Sequence, residues 1–171
     1  MKWNNPGNIR PSAAKWNGQT GTTKANNKGF VIFDTIANGY RAHIKTLQTY
    51  IGRGNDTINK IIPIWAPASD GNDPAAYIKT VVKLSGVDPS KKIARTDYQT
   101  LEKVVYAMSI VEKGDEARTA DAKAALTLAI SRLQGTEPPS GTVTGSSSFN
   151  WLLIAAAAAA FYFINKGSGT A

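Results

Sequence analysis

The side chains able to give, take or attack are few in this chain of 171 residues. There is no Cys, which excludes thiolate nucleophiles, disulfide scaffolds and thiolate zinc sites. The one His, His43, excludes multi-His metal sites and leaves a His-based triad a single candidate. Twelve residues are acidic, and four of these are Glu: Glu102, Glu112, Glu116 and Glu137. Chemistry that needs a Glu must therefore draw it from residues 102–137. No metal site and no cofactor is expected.

Glu112 stands out by its spacing. Leu101, Val105 and Met108 fall at i, i+4 and i+7 of a helical stripe, and the next position on that stripe, i+11, is Glu112. A carboxylate thus continues a core-facing row at the helix end. Partial burial and the negative end of the helix dipole both disfavour charge there, the setting a general acid needs. Glu102 shares a polar face with Ser109 and Lys113, Glu116 lies beyond the helix stop and Glu137 falls in a linker.

The elements around this residue read as mostly helical. Asn26, Asn27 and Gly29 mark a turn before a short strand, Phe30–Phe33. Ile36, Tyr40, Ile44, Leu47 and Ile51 form one helical stripe, beside which His43 reads as a surface or core residue. A short helix over Thr57–Ile62 is expected to stop at Pro63. Asp73 and Pro74 open a helix to Leu84, with Gly86 beyond it. Thr96 and Gln99 have capping-box spacing for the helix to Lys113, stopped by Gly114. Thr119 caps the last helix, whose face is Ala122, Ala125, Leu126, Ala129, Ile130 and Leu133. The expected fold is mainly α (α+β), one domain over residues 1–134.

Charge and composition divide the rest. Residues 1–60 hold nine basic and two acidic side chains, which suits a polyanionic partner such as nucleic acid, an anionic membrane surface or cell-wall polymer. Residues 135–148, GTEPPSGTVTGSSS, read as a flexible linker spanning ~20 Å as a random coil. The uncharged stretch Phe149–Ile164 follows, with aromatics at both ends. At ~24 Å it is short of a ~30 Å hydrocarbon core. A single membrane helix is expected over residues 149–165, with a short tail over 166–171.

The opening Asn4-Asn5-Pro6-Gly7-Asn8-Ile9-Arg10, then Trp16-Asn17-Gly18 and Phe30-Val31-Ile32-Phe33-Asp34, resembles a family of small phage and prophage muralytic proteins. Ile62-Pro63-Ile64-Trp65-Ala66-Pro67, Ala76-Tyr77-Ile78 and Ser85-Gly86-Val87-Asp88-Pro89 are similar to the same family, in the same order. A more distant resemblance is to flagellar-type glucosaminidases. The resemblance implies peptidoglycan cleavage by a lysozyme-like domain. Ala107–Gly114 also resembles the Glu-x-Gly helix end of lytic transglycosylases, with Lys113 where a Ser or Thr is common. In the glucosaminidases the Glu helix precedes the Asn-rich segment; here it follows, which implies a circularly permuted lysozyme-like fold.

On this reading Glu112 is the acid of a lytic transglycosylase, a reaction needing no second carboxylate because a hydroxyl of the substrate attacks. A hydrolase needs a second acid, for which Asp34, Asp70, Asp73 and Glu116 are candidates. Trp16 and Trp65 are expected to stack on sugar rings, and Tyr77 and Tyr106 to line the cleft, with core packing the alternative for each. Asn5 and Asn8 are candidates for substrate binding or for holding the turn. The expected partners are peptidoglycan, a lipid membrane (a virion's internal membrane or the host inner membrane) and capsid proteins, with no specific nucleic acid. Two other classes stand beside the enzyme. One is a non-catalytic, membrane-anchored virion protein; the other is a basic nucleic-acid-binding protein contacting phosphates through Lys2, Arg10, Lys15, Lys24 and their neighbours.

Overall fold

The computed structural model describes residues 1–13, 15–25 and 28–136. They form a mainly helical unit with one small hairpin, so the mainly α class holds. Strands β1 (Gln19–Lys24) and β2 (Lys28–Phe33) are followed by helices α1 (Ile36–Gly52), α2 (Ile58–Trp65), α3 (Pro74–Ser85), α4 (Tyr98–Lys113) and α5 (Ala120–Gln134). Short 3-10 turns cover Lys2–Asn4, Ala68–Asp70 and Gly114–Arg118. Of the expected linker, Gly135 caps α5, while residues 137–148 and the expected membrane segment lie outside the described residues. Among the described residues no helix is long and apolar enough to cross a membrane.

Helix starts follow the side chains that can accept from their open N–H groups. Asp73 accepts from Ala76 N and Thr119 from Ala122 N, so α3 and α5 begin where the sequence places them. Helix α4 corrects the expectation: its cap is Asp97, which accepts from Thr100 N, in place of the Thr96 capping box. A carboxylate is the stronger acceptor of the two. Helix α2 also corrects it, running through Pro63 to Trp65. A proline there forfeits one intrahelical bond near the helix end. Burial of Ile58, Ile61 and Ile62 offsets that loss.

The core lies between the helices. α1 packs on α4 and α5, α3 packs on α4, and α2 touches both α1 and α3. Tyr40, Ile44, Leu47, Ile61, Leu101, Val105 and Met108 are fully buried in it. The stripe that Glu112 continues is therefore the core face of α4. Tyr40 also donates to Ser109 Oγ at 3.2 Å, a buried bond joining α1 to α4.

The hairpin makes a second, smaller cluster of Ile9, Val31, Phe33 and Ala42, with Trp16 and Trp65 packed against it. Its strands are antiparallel, with register shifts between Gln19 and Gly21 and between Thr22 and Lys24. The Asn-rich opening is fastened to β2. Asn5 Nδ2 donates to Ile9 O at 3.0 Å and Val31 O at 2.9 Å, and its Oδ1 accepts from Ile9 N at 2.8 Å. Asn4 Nδ2 donates to the carbonyls of Phe33 and Asp34, both at 3.0 Å.

Gly39 lets this turn reach α1. A Cβ on Gly39 would stand 2.0 Å from Asn4 O, a backbone atom that cannot swing aside. Gly39→Ala should lower the unfolding free energy by about 2–3 kcal/mol, the usual cost of forcing extra volume into a packed contact. Urea titration measures it; an unchanged midpoint would contradict this packing.

Candidate active site

Three segments bring side chains to one carboxylate carried by a fourth. Glu112 stands at the end of α4, half-buried. Its Oε1 accepts from Tyr77 OH of α3 at 2.9 Å and from Trp65 Nε1 of α2 at 3.0 Å. Its Oε2 accepts from Asn8 Nδ2 at 2.7 Å, a partner 104 residues away in the chain. The other end of the Asn8 amide is fixed as well, since Lys113 Nζ donates to Asn8 Oδ1. An ammonium can only donate, so the Asn8 oxygen must face Lys113 and its NH2 must face Glu112.

The donor chemistry distinguishes the two carboxylate oxygens. An indole N–H can only donate, and the Tyr77 hydroxyl uses its proton on the same atom. Oε1 is thus occupied as an acceptor by two donors, leaving Oε2 as the atom for a transferable proton. The Tyr77 phenol stays protonated. Burial raises its pKa far above 10, and the Glu112 charge and the hydrogen bond to it add to that. Lys113 is shifted down, chiefly by burial.

Glu112 opens into a cleft of about 500 Å³. Trp16, Phe30, Tyr50, Ile64, Trp65 and Pro67 give it apolar and aromatic surface. Asn8, Arg10, Thr46, Asp70 and Asn72 supply polar groups. Asn8, which lines the cleft, holds a positive φ of 49°, and Trp3 and Asn4 in the same segment hold 61° and 51°.

Trp65 is held from behind. Its ring stacks on His43 at 4.4 Å between centroids and 14° between planes. His43 is fully buried in α1, and neither ring nitrogen has a partner among the described residues. Gly7 closes over the imidazole, where a Cβ would fall 2.7 Å from Nδ1. His43 is therefore a packing residue.

Of the six expected substrate-binding residues, the structure brings four together. Asn8, Trp16 and Trp65 line the cleft, and Tyr77 reaches Glu112 from beneath. Two are corrected. Asn5 is fully buried with its amide used in the turn, so it cannot touch a substrate. Tyr106 lies about 240° around α4 from Glu112. It packs against the helical core, with Lys123 Nζ 5.8 Å from its ring.

The candidate second acids separate as clearly. Asp34 accepts from Asn38 Nδ2 and Thr35 N, Asp73 caps α3, and Glu116 accepts from Lys2 N. None of these three lines the cleft. Asp70 does, paired with Arg10 at 3.2 Å. Sequence reasoning missed Arg10 and Lys113 as members of the site. Arg10 stands inside the Asn-rich motif but reads there as one basic residue among many. Among the described residues no cluster of His, Cys, Asp or Glu could hold a metal ion.

No protein-family model matches the chain, and no curated protein matches it.

Burial of His43 has a measurable cost in acid. Desolvation pulls its pKa from 6.5 down to about 3, so the unfolded chain takes up this proton first as pH falls. Stability should therefore drop from about pH 6.5 towards pH 3, with up to about 1.4 kcal/mol per pH unit from this group. Urea titrations at stepped pH should show that slope flattened in His43→Phe. Identical slopes in both proteins would contradict a buried neutral imidazole.

Proposed function

We propose that this protein is a peptidoglycan-degrading enzyme that cleaves the glycan strand, with Glu112 as its general acid. The observation that carries the reading is the Glu112 carboxylate itself. It ends a core-facing stripe, opens into an aromatic-lined cleft, and is oriented by Trp65, Tyr77 and Asn8. Positioned acids with a fixed proton-bearing oxygen suit general acid catalysis, and flat aromatic walls suit sugar rings. The resemblance of the Asn-rich opening and of the Glu-x-Gly helix end to muralytic proteins points the same way. The contact between Asn8 and Glu112 is the one a circularly permuted lysozyme-like domain requires.

The reaction is that of a lytic transglycosylase. Glu112 Oε2 gives its proton to the glycosidic oxygen as that C–O bond breaks and the sugar gains oxocarbenium character. A hydroxyl of the same sugar attacks the anomeric carbon and returns its proton to Glu112. No water is consumed and an anhydro end is left. Trp65 and Tyr77 hold Oε1 throughout, stabilising the carboxylate that forms when the proton leaves. Hydrolysis is the second reading, because Asp70 lines the same cleft. Its ion pair with Arg10 favours the first.

The sequence of residues 135–165 supports a tether to a virion's internal membrane or to the host inner membrane, with the catalytic domain at the end of a ~20 Å linker. Such a tether suits a phage protein that opens the wall during infection or lysis.

Two variants test the assignment by zymography on purified peptidoglycan. Glu112→Gln should abolish lysis while the helical circular dichroism spectrum stays unchanged. Retained lysis would end the assignment of Glu112. Tyr77→Phe removes one donor from Oε1 and should lower kcat by about 10–100-fold with little change in KM. An unchanged kcat would show that this bond does not act in the reaction.

A further inference from the structure

A second cavity, of about 670 Å³, adjoins the Glu112 cleft and shares Arg10 and Phe30 with it. Trp3, Pro11, Thr23, Lys24 and Gly29 complete its lining. Its chemistry differs from that of the first. The Glu112 cleft contains two carboxylates, Glu112 and Asp70. The second cavity is lined by two cations, Arg10 and Lys24, and by no acid.

Its floor is aromatic and backed by more positive charge. Trp3 and Phe30 stack at 5.8 Å between centroids. Lys2 Nζ lies 4.6 Å and Lys113 Nζ 5.5 Å from the Trp3 ring centroid. Trp3 is held there in left-handed backbone, at φ 61°, a conformation unfavourable for a residue with a Cβ. Such strain persists only where surrounding contacts enforce it. Lys24 is exposed and makes no ion pair among the described residues. Glu116 accepts from the backbone N–H of Lys2 at 2.9 Å.

We infer that the second cavity binds the acidic peptide arm of the glycan substrate while the sugar chain occupies the Glu112 cleft. The inference rests on peptidoglycan being the substrate. The cavity joins the cleft at its wall, as a group branching from a polymer backbone requires. Lys24 meets the peptide carboxylates beside an Arg10 already paired with Asp70, and the Trp3–Phe30 floor takes the apolar parts of the peptide. The enzyme then distinguishes peptide-bearing glycan from bare glycan by charge.

The test compares two substrates on the full chain: peptidoglycan, and the same glycan strands stripped of peptide by an amidase. Wild type should prefer the peptide-bearing strand about fivefold in kcat/KM, the size one exposed ion pair can supply. Lys24→Glu should bring that ratio to about one. Equal rates of wild type on both substrates, or an unchanged ratio in the variant, would overturn the inference. A second measurement separates it from the catalytic reading. A disaccharide–tetrapeptide muropeptide titrated into Glu112→Gln protein should shift the Trp3 indole N–H signal in NMR spectra, and the peptide-free disaccharide should not. That shift without any cleavage by wild type would remove the proposed activity and keep the peptide site; no shift would remove the site.

Discussion

The arrangement of the whole domain turns on the hydrogen-bonded carboxylate of Glu112. Three donors from three separate segments converge on it. The donors are chemically unequal, which matters more than their number. Tyr77 and Trp65 occupy one oxygen, which leaves the other, beside Asn8, as the atom able to carry a proton. The same bonds tie α2, α3, α4 and the N-terminal turn to a single point. A substitution at Glu112 therefore tests a fold contact and a reaction at once, and the isosteric Gln leaves most of the contact in place.

Everything behind that point serves to keep its donors still. Trp65 presents its indole N–H because its ring lies flat on His43, and His43 lies under Gly7. Asn8 presents its amide because Asn5 and Asn4 fasten the turn to β2 and Lys113 occupies the opposite end of the side chain. Neither Asn5 nor His43 meets the cleft, yet both set the geometry within it. Lys113, read in sequence as a departure from the usual Ser or Thr, is the group that decides which way Asn8 faces.

Much of this is legible in the sequence itself. Caps such as Asp73 and Thr119 are local chemistry and lie where the residue types put them. Glu112 could be singled out because helical periodicity makes a carboxylate on an apolar stripe conspicuous. What failed was set by tertiary contact. Pro63 reads as a stop, but burial of the isoleucines beside it carries α2 on to Trp65, the residue the site needs. Strand β1, Gln19–Lys24, has no apolar alternation and is recognisable only through its pairing with β2. Asn5 and Asn8 share a motif and a residue type, and only burial separates the rivet from the one that faces the cleft. Tyr106 shares α4 with Glu112, but its position around the helix turns it from the cleft towards Lys123 of α5.

The proposed internal attack rests on Glu112 acting alone, with Asp70, the other carboxylate of the cleft, drawn into a pair with Arg10. The chemistry of the new chain ends records that choice directly. Mass analysis of the fragments released from purified peptidoglycan by the full-length protein measures it. Anhydro ends, lighter by one water than the hydrolytic product, are the predicted result. Reducing ends would contradict the single-acid reaction and assign the second carboxylate to Asp70, and the absence of any released glycan would contradict the enzyme itself.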